Sequence, residues 1–274
     1  MRIVEPYVLI KEDPKIDHVG SIIIIDSKNL NMLEPIIKEL SIYAFNLYWI
    51  LPETILQESY NVNSQKPIQI NSAPVYLDTN QYLLKRSVDV LGALFALLLI
   101  LPISIIVAIF IKMTDGGSIL YTQLRHGRYG KEFMMYKFRS MIVDSDATDQ
   151  QVFDNDLRVT WIGKIIRKTS FDELPQLLNI LKGEMSLVGP RPHIISDTHL
   201  YSKKILKFLT RHHVKPGLTG LAQIRARGKT DSLELMQEKL NSDLEYINQW
   251  TFFLDLQILL MTPLSIWKNR NTNI

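Results

Sequence analysis

Cysteine is absent from all 274 residues of the chain. Its absence excludes disulfide bonds, thiol nucleophiles and cysteine-ligated zinc or iron–sulfur sites, and it says little about compartment. Neither G-x-G-x-x-G nor G-x-x-x-x-G-K-[ST] occurs, so no glycine-rich nucleotide loop is predicted. The net charge of +3 is too small to indicate a strong polyanion partner such as nucleic acid. The six histidines lack metal-ligand spacing such as H-E-x-x-H, so we predict that they are surface or core residues.

One long stretch lacks charge altogether: the 22 residues from Val90 to Ile111. As a helix it would measure roughly 33 Å, enough to cross a hydrocarbon core of about 30 Å. Pro102 near its middle would break the helix, and basic residues flank both ends, whereas a simple span is basic mainly on one side. The flanking residues are Lys85 and Arg86 before the run and Lys112, Arg125, Arg128 and Lys131 after it. We predict a re-entrant hairpin over residues 81–112; a spanning helix and a buried core helix remain alternatives.

The first 80 residues have the pattern of a small α/β unit. An apolar, β-branched run at 20–26, a helical periodicity over 27–44 and a second run at 46–51 predict a β-α-β unit with parallel strands. This indicates a partial Rossmann-like domain, followed by a polar loop or linker over 58–80. The first residues lack the pattern of a secretory signal peptide.

Residues 113–274 are predicted to form a mainly helical domain, which makes the whole an α/β (α+β) membrane-associated protein. Alternating residues around 133–139 predict a short strand, and residues 232–250 predict a long amphipathic helix. The aromatic, apolar segment 250–267 predicts either an interfacial helix on the membrane surface or a core helix.

Two adjacent carboxylates, Asp172 and Glu173, lie between Arg167 and Arg191 in the stretch RKTSFDELPQLLNILKGEMSLVGPRP. One interpretation is a capping box, in which Ser170 caps a helix and Glu173 reaches back to it. The other is phosphate chemistry, because a carboxylate can attack phosphorus and a neighbouring acid can hold Mg²⁺ beside substrate phosphates. Both interpretations stay open on spacing alone.

Cationic residues around the pair are candidates for phosphate binding. Arg191 lies in a GPRP loop made rigid by two prolines, and a fixed guanidinium suits bidentate phosphate recognition. Lys137 and Arg139 would share one face of their predicted strand. Arg225 and Arg227 follow a Pro-Gly loop and are candidates for a diphosphate contact, with a solvated loop as the alternative.

Several motifs together resemble one known family, the bacterial sugar transferases or monotopic phosphoglycosyl transferases. They cover about 190 residues from Leu84 onward and are, in order, KRSVD, a proline inside an apolar run, RHGRYGKEF, YKFRSM, the 167–192 stretch and HHVKPGLTGLAQ. The segments RGKTDSLELM and DLEYINQWTFFLDLQILL look most like the undecaprenyl-phosphate glucose phosphotransferases. In the family a serine commonly precedes the proline, where this chain has Leu101.

The resemblance implies a reaction: a sugar 1-phosphate moves from a UDP-sugar to undecaprenyl phosphate, and UMP is released. It implies that Asp172 is the nucleophile, that Glu173 with Asp172 is associated with Mg²⁺, and that Lys137, Arg167 and Arg191 handle phosphate. It further implies a bacterial inner-membrane protein with its catalytic domain on the cytoplasmic face, in contact with membrane lipid and not with nucleic acid. Large members begin with transmembrane helices, so this chain is expected to be a shortened relative or a fragment.

Some properties stay open from sequence. The subgroup resemblance favours glucose as the sugar, while galactose and N-acetylated amino sugars remain alternatives. Initiation of exopolysaccharide, capsule or another glycoconjugate would follow from the reaction, and a homodimer is left open. A non-catalytic membrane adaptor and a soluble nucleotide or nucleic-acid binder are the competing function classes.

Overall fold

The computed structural model describes residue 77, residues 79–142, 156–205, 207–226 and 232–269, and five strands in the N-terminal part. Those strands are β1 (Arg2–Val4), β2 (Val8–Lys11), β3 (Ser21–Ile25), β4 (Asn46–Ile50) and β5 (Ile68–Gln69). They form one sheet in the order β1-β2-β3-β4-β5.

The N-terminal sheet is mixed. Strands β3 and β4 pair in parallel, from Ser21 opposite Asn46 to Ile25 opposite Ile50, which confirms the predicted parallel pair. The other three pairings are antiparallel. The predicted helix over 27–44 lies outside the described residues, so the Rossmann-like topology stays a prediction. The prediction of a loop over 58–80 was wrong in two places, because the segment contains β5 and the first residues of the next helix.

Helix α1 (Thr79–Asp115) has 37 residues and runs through Pro102 without interruption. In the described part of the chain it is the one helix long and apolar enough to cross a membrane. It extends beyond the predicted bounds of 81–112, since polar turns continue it at both ends. The helix does not end at Pro102, so the predicted break is not confirmed. The re-entrant path stays a prediction.

The remaining elements build the domain around α1. Strands β6 (Leu120–His126) and β7 (Glu132–Phe138) form an antiparallel hairpin, and β7 covers the strand predicted around 133–139. Short strands β8 (Ser186–Val188) and β9 (Gly217–Thr219) pair in parallel. The helices are α2 (Trp161–Lys168), α3 (Gln176–Lys182), α4 (Ile195–Lys204), α5 (Leu221–Arg225), α6 (Leu233–Asn248) and α7 (Phe252–Asn269). Short 3-10 segments occur at Arg128–Gly130, Phe171–Glu173 and Phe208–His213.

Both halves of α1 pack on the same folded unit, in two core clusters that each include residues of β7. Ala93, near the start of the apolar run, is fully buried in a core with Phe133 and Met135 of β7 and with residues of α3, β8, α6 and α7. Val107 and Ile111, near its end, pack with Phe138 of the same strand and with α2. The middle of α1 instead exposes large apolar side chains, among them Leu98, Leu99, Leu101 and Ile103.

The first turns of α1 are held by polar side chains of the KRSVD segment. Lys85 donates from Nζ to Asp255 Oδ2 of α7 at 2.7 Å and to the Val188 carbonyl at 3.1 Å. Arg86 donates to the carbonyls of Ile180 and Leu181 at the end of α3, at 2.6 and 2.9 Å. The Arg86 guanidinium thus supplies donors to two carbonyls at the end of α3, of which Ile180 also accepts from the Gly183 amide.

Asp89 completes this anchorage from inside the core. Its Oδ1 accepts from the Ser186 hydroxyl and from the Leu187 amide, both at 2.9 Å, and the residue is only 3% exposed. A buried carboxylate is tolerated only when it is hydrogen-bonded or paired, and these bonds join α1 directly to β8.

Helix α7 combines the two alternatives predicted for it. Asp255 and Ile258 are buried against the core. The opposite side exposes an apolar stripe at helical spacing, consisting of Phe253, Leu256, Leu260, Leu264 and Trp267. Helix α6, capped by the Ser232 hydroxyl on the Leu235 amide, agrees with its prediction to within two residues at each end.

We predict that Asp89→Ala destabilises the protein by about 2–4 kcal/mol, because the buried Leu187 amide and Ser186 hydroxyl lose their acceptor. The matched control is Ser87→Ala on the exposed side of the same turn, which should change stability by less than about 0.5 kcal/mol. Urea unfolding of both variants in detergent micelles measures the difference. Equal stability of the two variants would contradict the anchoring role of Asp89.

Candidate active site

Asp172 and Glu173 lie on the 3-10 turn Phe171–Glu173 that joins α2 to α3. The Phe171 ring stacks on Phe138 with centroids 6.0 Å apart, which seats the turn on the end of β7. Ser170 has left-handed backbone angles (φ 57°, ψ 20°), and its side chain makes no capping hydrogen bond. The capping-box interpretation was therefore wrong, because a left-handed Ser170 does not present its hydroxyl to the Glu173 amide.

Glu173 is clamped by two cations from distant parts of the chain. Lys137 of β7 donates to Oε1 at 2.8 Å. Arg191 donates to Oε1 at 2.7 Å and to Oε2 at 3.2 Å, a bidentate contact. The structure thus brings together four residues proposed from sequence: the two acids, Lys137 and Arg191.

The two neighbouring carboxyls respond to this environment in opposite ways. Burial would raise the pKa of Glu173, but Arg191 and Lys137 outweigh it and hold that pKa well below its usual range. Burial, reinforced by the charge of Glu173, raises the pKa of Asp172 to about 6, against the opposing effect of Lys137, Arg167 and Arg191. Glu173 is thus a permanent anion, and Asp172 is a destabilised carboxylate that is mostly ionised at neutral pH.

Arg167 lies in the last turn of α2, five residues before Asp172. Its Nη1 is buried and has no hydrogen-bond partner among the described residues. Its charge also lowers the pKa of Asp172, so the guanidinium acts on the same site. A buried donor without a partner is uncommon in proteins, and a bound anion such as phosphate would satisfy it.

Three other predicted cations have different surroundings. Arg139 lies one residue beyond the end of β7 and pairs with Asp115 at the end of α1, whereas Lys137 pairs with Glu173. Arg225 makes a bidentate pair with Glu245, at 2.5 and 2.8 Å. Arg227 lies outside the described residues. A phosphate-binding role for these three stays a prediction without support from their described contacts.

The loop that carries Arg191 is held from behind by residues that the sequence analysis missed. Arg211 donates from Nη2 to the Arg191 carbonyl at 3.0 Å and forms a buried ion pair with Asp243 at 2.6 Å. Arg125 donates to the Pro192 carbonyl at 3.2 Å. Arg211 comes from the 3-10 segment Phe208–His213 and Asp243 from α6. Because the two residues are distant in sequence, no local motif could have indicated their ion pair.

Three of the histidines form part of the core behind this loop. His193, His212 and His213 are largely buried, and burial lowers the pKa of His212 to about 3 and that of His213 to about 4. They are therefore neutral at physiological pH. No group of three or more potential metal-ligating residues was found in the described part of the chain.

The raised pKa of Asp172 has a consequence for stability. A carboxyl whose pKa rises from 3.8 to about 6 on folding binds its proton more tightly in the folded state. Stability is then lost as the pH rises from about 4 through about 6, and at pH 7.5 the loss is about 3 kcal/mol. We predict that Asp172→Asn raises the free energy of unfolding by about 2–3 kcal/mol at pH 7.5, with the gain shrinking toward pH 4.

Urea unfolding at several pH values checks this expectation. Asp156→Asn is the control, since Arg158 lowers the pKa of Asp156 to about 2 and its neutralisation should bring no gain. A stability difference for Asp172→Asn that does not vary with pH would contradict the raised pKa.

Comparison with known proteins places this arrangement in context. Residues 80–269 match the family described as bacterial sugar transferase. A UDP-glucose:undecaprenyl-phosphate glucose-1-phosphate transferase of Klebsiella pneumoniae is 40% identical over 221 residues, which is 78% of this chain and 48% of the relative. One of the same name from Caulobacter vibrioides is 42% identical over 189 residues, 68% of this chain and 71% of the relative. A UDP-N-acetylgalactosamine-undecaprenyl-phosphate N-acetylgalactosaminephosphotransferase of Aeromonas hydrophila is 38% identical over 180 residues, 65% of this chain and 42% of the relative. The chain spans about half the length of relatives such as the Klebsiella protein.

Proposed function

The chain belongs to the bacterial sugar transferase family, and from this premise we propose that it transfers a sugar 1-phosphate from a UDP-sugar to undecaprenyl phosphate, releasing UMP. The names of the relatives support the acceptor. The observation that carries the proposal is the pairing of a destabilised Asp172 carboxylate with a cation-clamped Glu173 beside Arg167.

The chemistry proceeds in two displacements at one phosphorus atom. A carboxylate oxygen of Asp172 attacks the β-phosphorus of the UDP-sugar, the bond from that phosphorus to the bridging oxygen breaks, and UMP leaves with the electron pair. The product is an acyl phosphate that carries the sugar. An oxygen of the polyprenyl phosphate then attacks the same phosphorus, which frees the Asp172 carboxylate and forms the lipid-linked diphosphate sugar.

The surrounding cations have separate tasks in this proposal. Arg167 binds a phosphoryl oxygen through the guanidinium nitrogen that has no partner in the described structure. Lys137 and Arg191 hold Glu173 ionised and fix its position next to Asp172. Because the pKa of Asp172 is about 6, the nucleophile is mostly ionised at neutral pH and less stabilised by solvent than an exposed carboxylate.

The carboxyls of Asp172 and Glu173 fit Mg²⁺ only as part of a larger ligand set. Two adjacent carboxyls suffice for an ion that is usually held by one or two carboxylates together with substrate phosphates. Glu173 already accepts three hydrogen bonds, so Asp172 and Glu173 would hold the ion only jointly with the donor diphosphate. When bound, the ion would supply neutralising charge to the diphosphate.

We place the protein on the cytoplasmic face of the bacterial inner membrane. The exposed apolar middle of α1 and the exposed stripe of α7 support contact with lipid. Because both halves of α1 share core clusters with β7 of the same domain, a path with both ends of α1 on one side of the bilayer fits better than a straight crossing.

The transfer reaction is tested with detergent-solubilised protein, undecaprenyl phosphate, Mg²⁺ and a panel of UDP-sugars that includes glucose, galactose and the N-acetylated amino sugars. We predict UMP release with one or a few donors, and a loss of at least about a thousandfold in Asp172→Asn, since a nucleophile cannot be replaced by its amide. Glu238→Gln on the exposed side of α6 is the control and should retain full rate.

Two outcomes would argue against the proposal. Undiminished UMP release by folded Asp172→Asn would exclude Asp172 as the nucleophile. No release with any donor from folded, membrane-bound protein would favour a non-catalytic adaptor. A phosphosugar adduct on Asp172, detected by mass spectrometry when the acceptor is withheld, would identify the intermediate directly.

The membrane path of α1 is tested by single-cysteine labelling, which the cysteine-free chain allows without further changes. Ser87→Cys and Ser118→Cys lie at exposed positions before and after the apolar run. We predict that a membrane-impermeant maleimide labels both from the cytoplasmic side in inverted vesicles and neither in right-side-out vesicles. Labelling of the two positions from opposite sides would establish a spanning helix instead.

A further inference from the structure

A second cationic cluster lies apart from Glu173 and uses motifs that the transfer chemistry leaves unexplained. Lys215 of the VKPG segment and Arg128 of the RHGRYG segment both approach the Tyr82 ring in the first turn of α1, at 5.8 and 5.9 Å from its centroid. Arg128 also lies 4.6 Å from the centroid of Tyr129. Two cations therefore share one aromatic side chain.

Arg86 brings a third positive charge to the same place. A Cβ placed on Gly183 would lie 3.6 Å from Arg86 Nη2 and 3.7 Å from Lys215 Nζ, so both nitrogens face the same small space. Gly183 ends α3 with a positive φ of 85°, and its missing side chain leaves this space open.

Among the described residues, none of these three cations forms a salt bridge with a carboxylate. Arg86 and Arg128 donate only to backbone carbonyls, and Lys215 Nζ has no hydrogen-bond acceptor in the same described part of the chain. Burial, together with Arg86 and Arg128, lowers the pKa of Lys215 to about 8, against the opposing charge of Asp89. The charge of Asp89 thus compensates the positive charge of the cluster only in part.

The position of the cluster indicates which kind of anion could compensate its positive charge. Tyr82 precedes the apolar run of α1 by eight residues, about 12 Å along a helix. Leu83 and Leu84 are exposed beside it, and Lys85 joins this end of α1 to the start of α7, where Phe253 is exposed. Aromatic and basic side chains next to exposed apolar surface are typical of the headgroup region of a bilayer, where basic pockets bind lipid phosphates.

We propose that Arg86, Arg128 and Lys215, with the Tyr82 ring, form a binding site for the phosphate group of a membrane lipid, at the end of α3 opposite to Asp172. Anionic phospholipid and polyprenyl phosphate present the same chemistry there. The site rests on the proposed membrane association, but it does not require the proposed transfer reaction, because binding is measurable without a sugar donor.

The experiment measures ligand-induced thermal stabilisation of the full chain in neutral detergent micelles, from which an apparent dissociation constant follows. The ligands are phosphatidylglycerol, phosphatidylcholine, polyprenyl phosphate and inorganic phosphate, each titrated without a UDP-sugar. The variants are Lys215→Gln, the conservative Lys215→Arg, and the control Lys203→Gln at an exposed position of α4.

We expect tighter binding of lipids with a net negative phosphate than of phosphatidylcholine. Lys215→Gln should weaken that binding about fivefold, the contribution of one cation near an anionic headgroup. Lys215→Arg should retain it and Lys203→Gln should not change it. Without ligand, Lys215→Gln should melt at the same or a higher temperature than the wild type, because it relieves repulsion from Arg86 and Arg128. If Lys215 had a purely structural role, Lys215→Gln would melt at a lower temperature than the wild type.

The proposal is overturned if Lys215→Gln binds anionic lipid as tightly as the wild type, or if Lys203→Gln loses as much affinity, which would indicate diffuse surface charge. Protection by inorganic phosphate equal to that by lipid would overturn the lipid assignment. Preference for polyprenyl phosphate over phosphatidylglycerol would identify the acceptor as the occupant, and similar affinity would identify general headgroup binding. If the variants bind lipid as expected but the protein releases no UMP, the result counts against the transfer reaction and not against this site.

Discussion

The anchorage of the first turns of α1 is the constraint on which the rest of the structure depends. Lys85, Arg86 and Asp89 connect an otherwise apolar helix to α7, to the end of α3 and to β8. The turn that carries Asp172 leads directly into α3, and the loop that carries Arg191 follows β8. These hydrogen bonds therefore connect α1 to the elements on both sides of the candidate active site.

The candidate active site is built from charges whose ionisation depends on one another. Glu173 stays ionised because Lys137 and Arg191 accompany it, whereas at Asp172 the cations do not offset the desolvation cost, and its pKa is raised. This cost raises the reactivity of the carboxylate that the proposed chemistry uses. Behind Arg191, the buried pair of Arg211 and Asp243 fixes the loop backbone, so the guanidinium meets Glu173 from a rigid support.

Helix α3 separates two places suited to phosphate. Asp172 and Glu173 precede its first turn, and Arg86 and Lys215 surround Gly183 at its end. Seven helical residues span roughly 10 Å, so the two places are close but distinct. The proposed transfer joins a soluble nucleotide sugar to a lipid phosphate, and the proposed lipid site would supply cations for a lipid phosphate at a second place.

The sequence by itself determined the features that local pattern encodes. These are the parallel strands at 21–25 and 46–50, strand β7, the helix that Ser232 caps, the long apolar helix and the adjacency of Asp172 and Glu173. Periodicity and turn chemistry depend on residues that are near neighbours in the chain, so they can be recognised in a single sequence. Tertiary structure alone decided which cations meet the acids. Lys137 and Arg139 are two residues apart, yet one reaches Glu173 and the other Asp115. Ser170 adopts a left-handed conformation that no capping pattern foretells, and Arg86, Arg128 and Lys215 converge from three separate motifs. Such partnerships depend on how elements distant in sequence pack together, and that information is absent from local spacing.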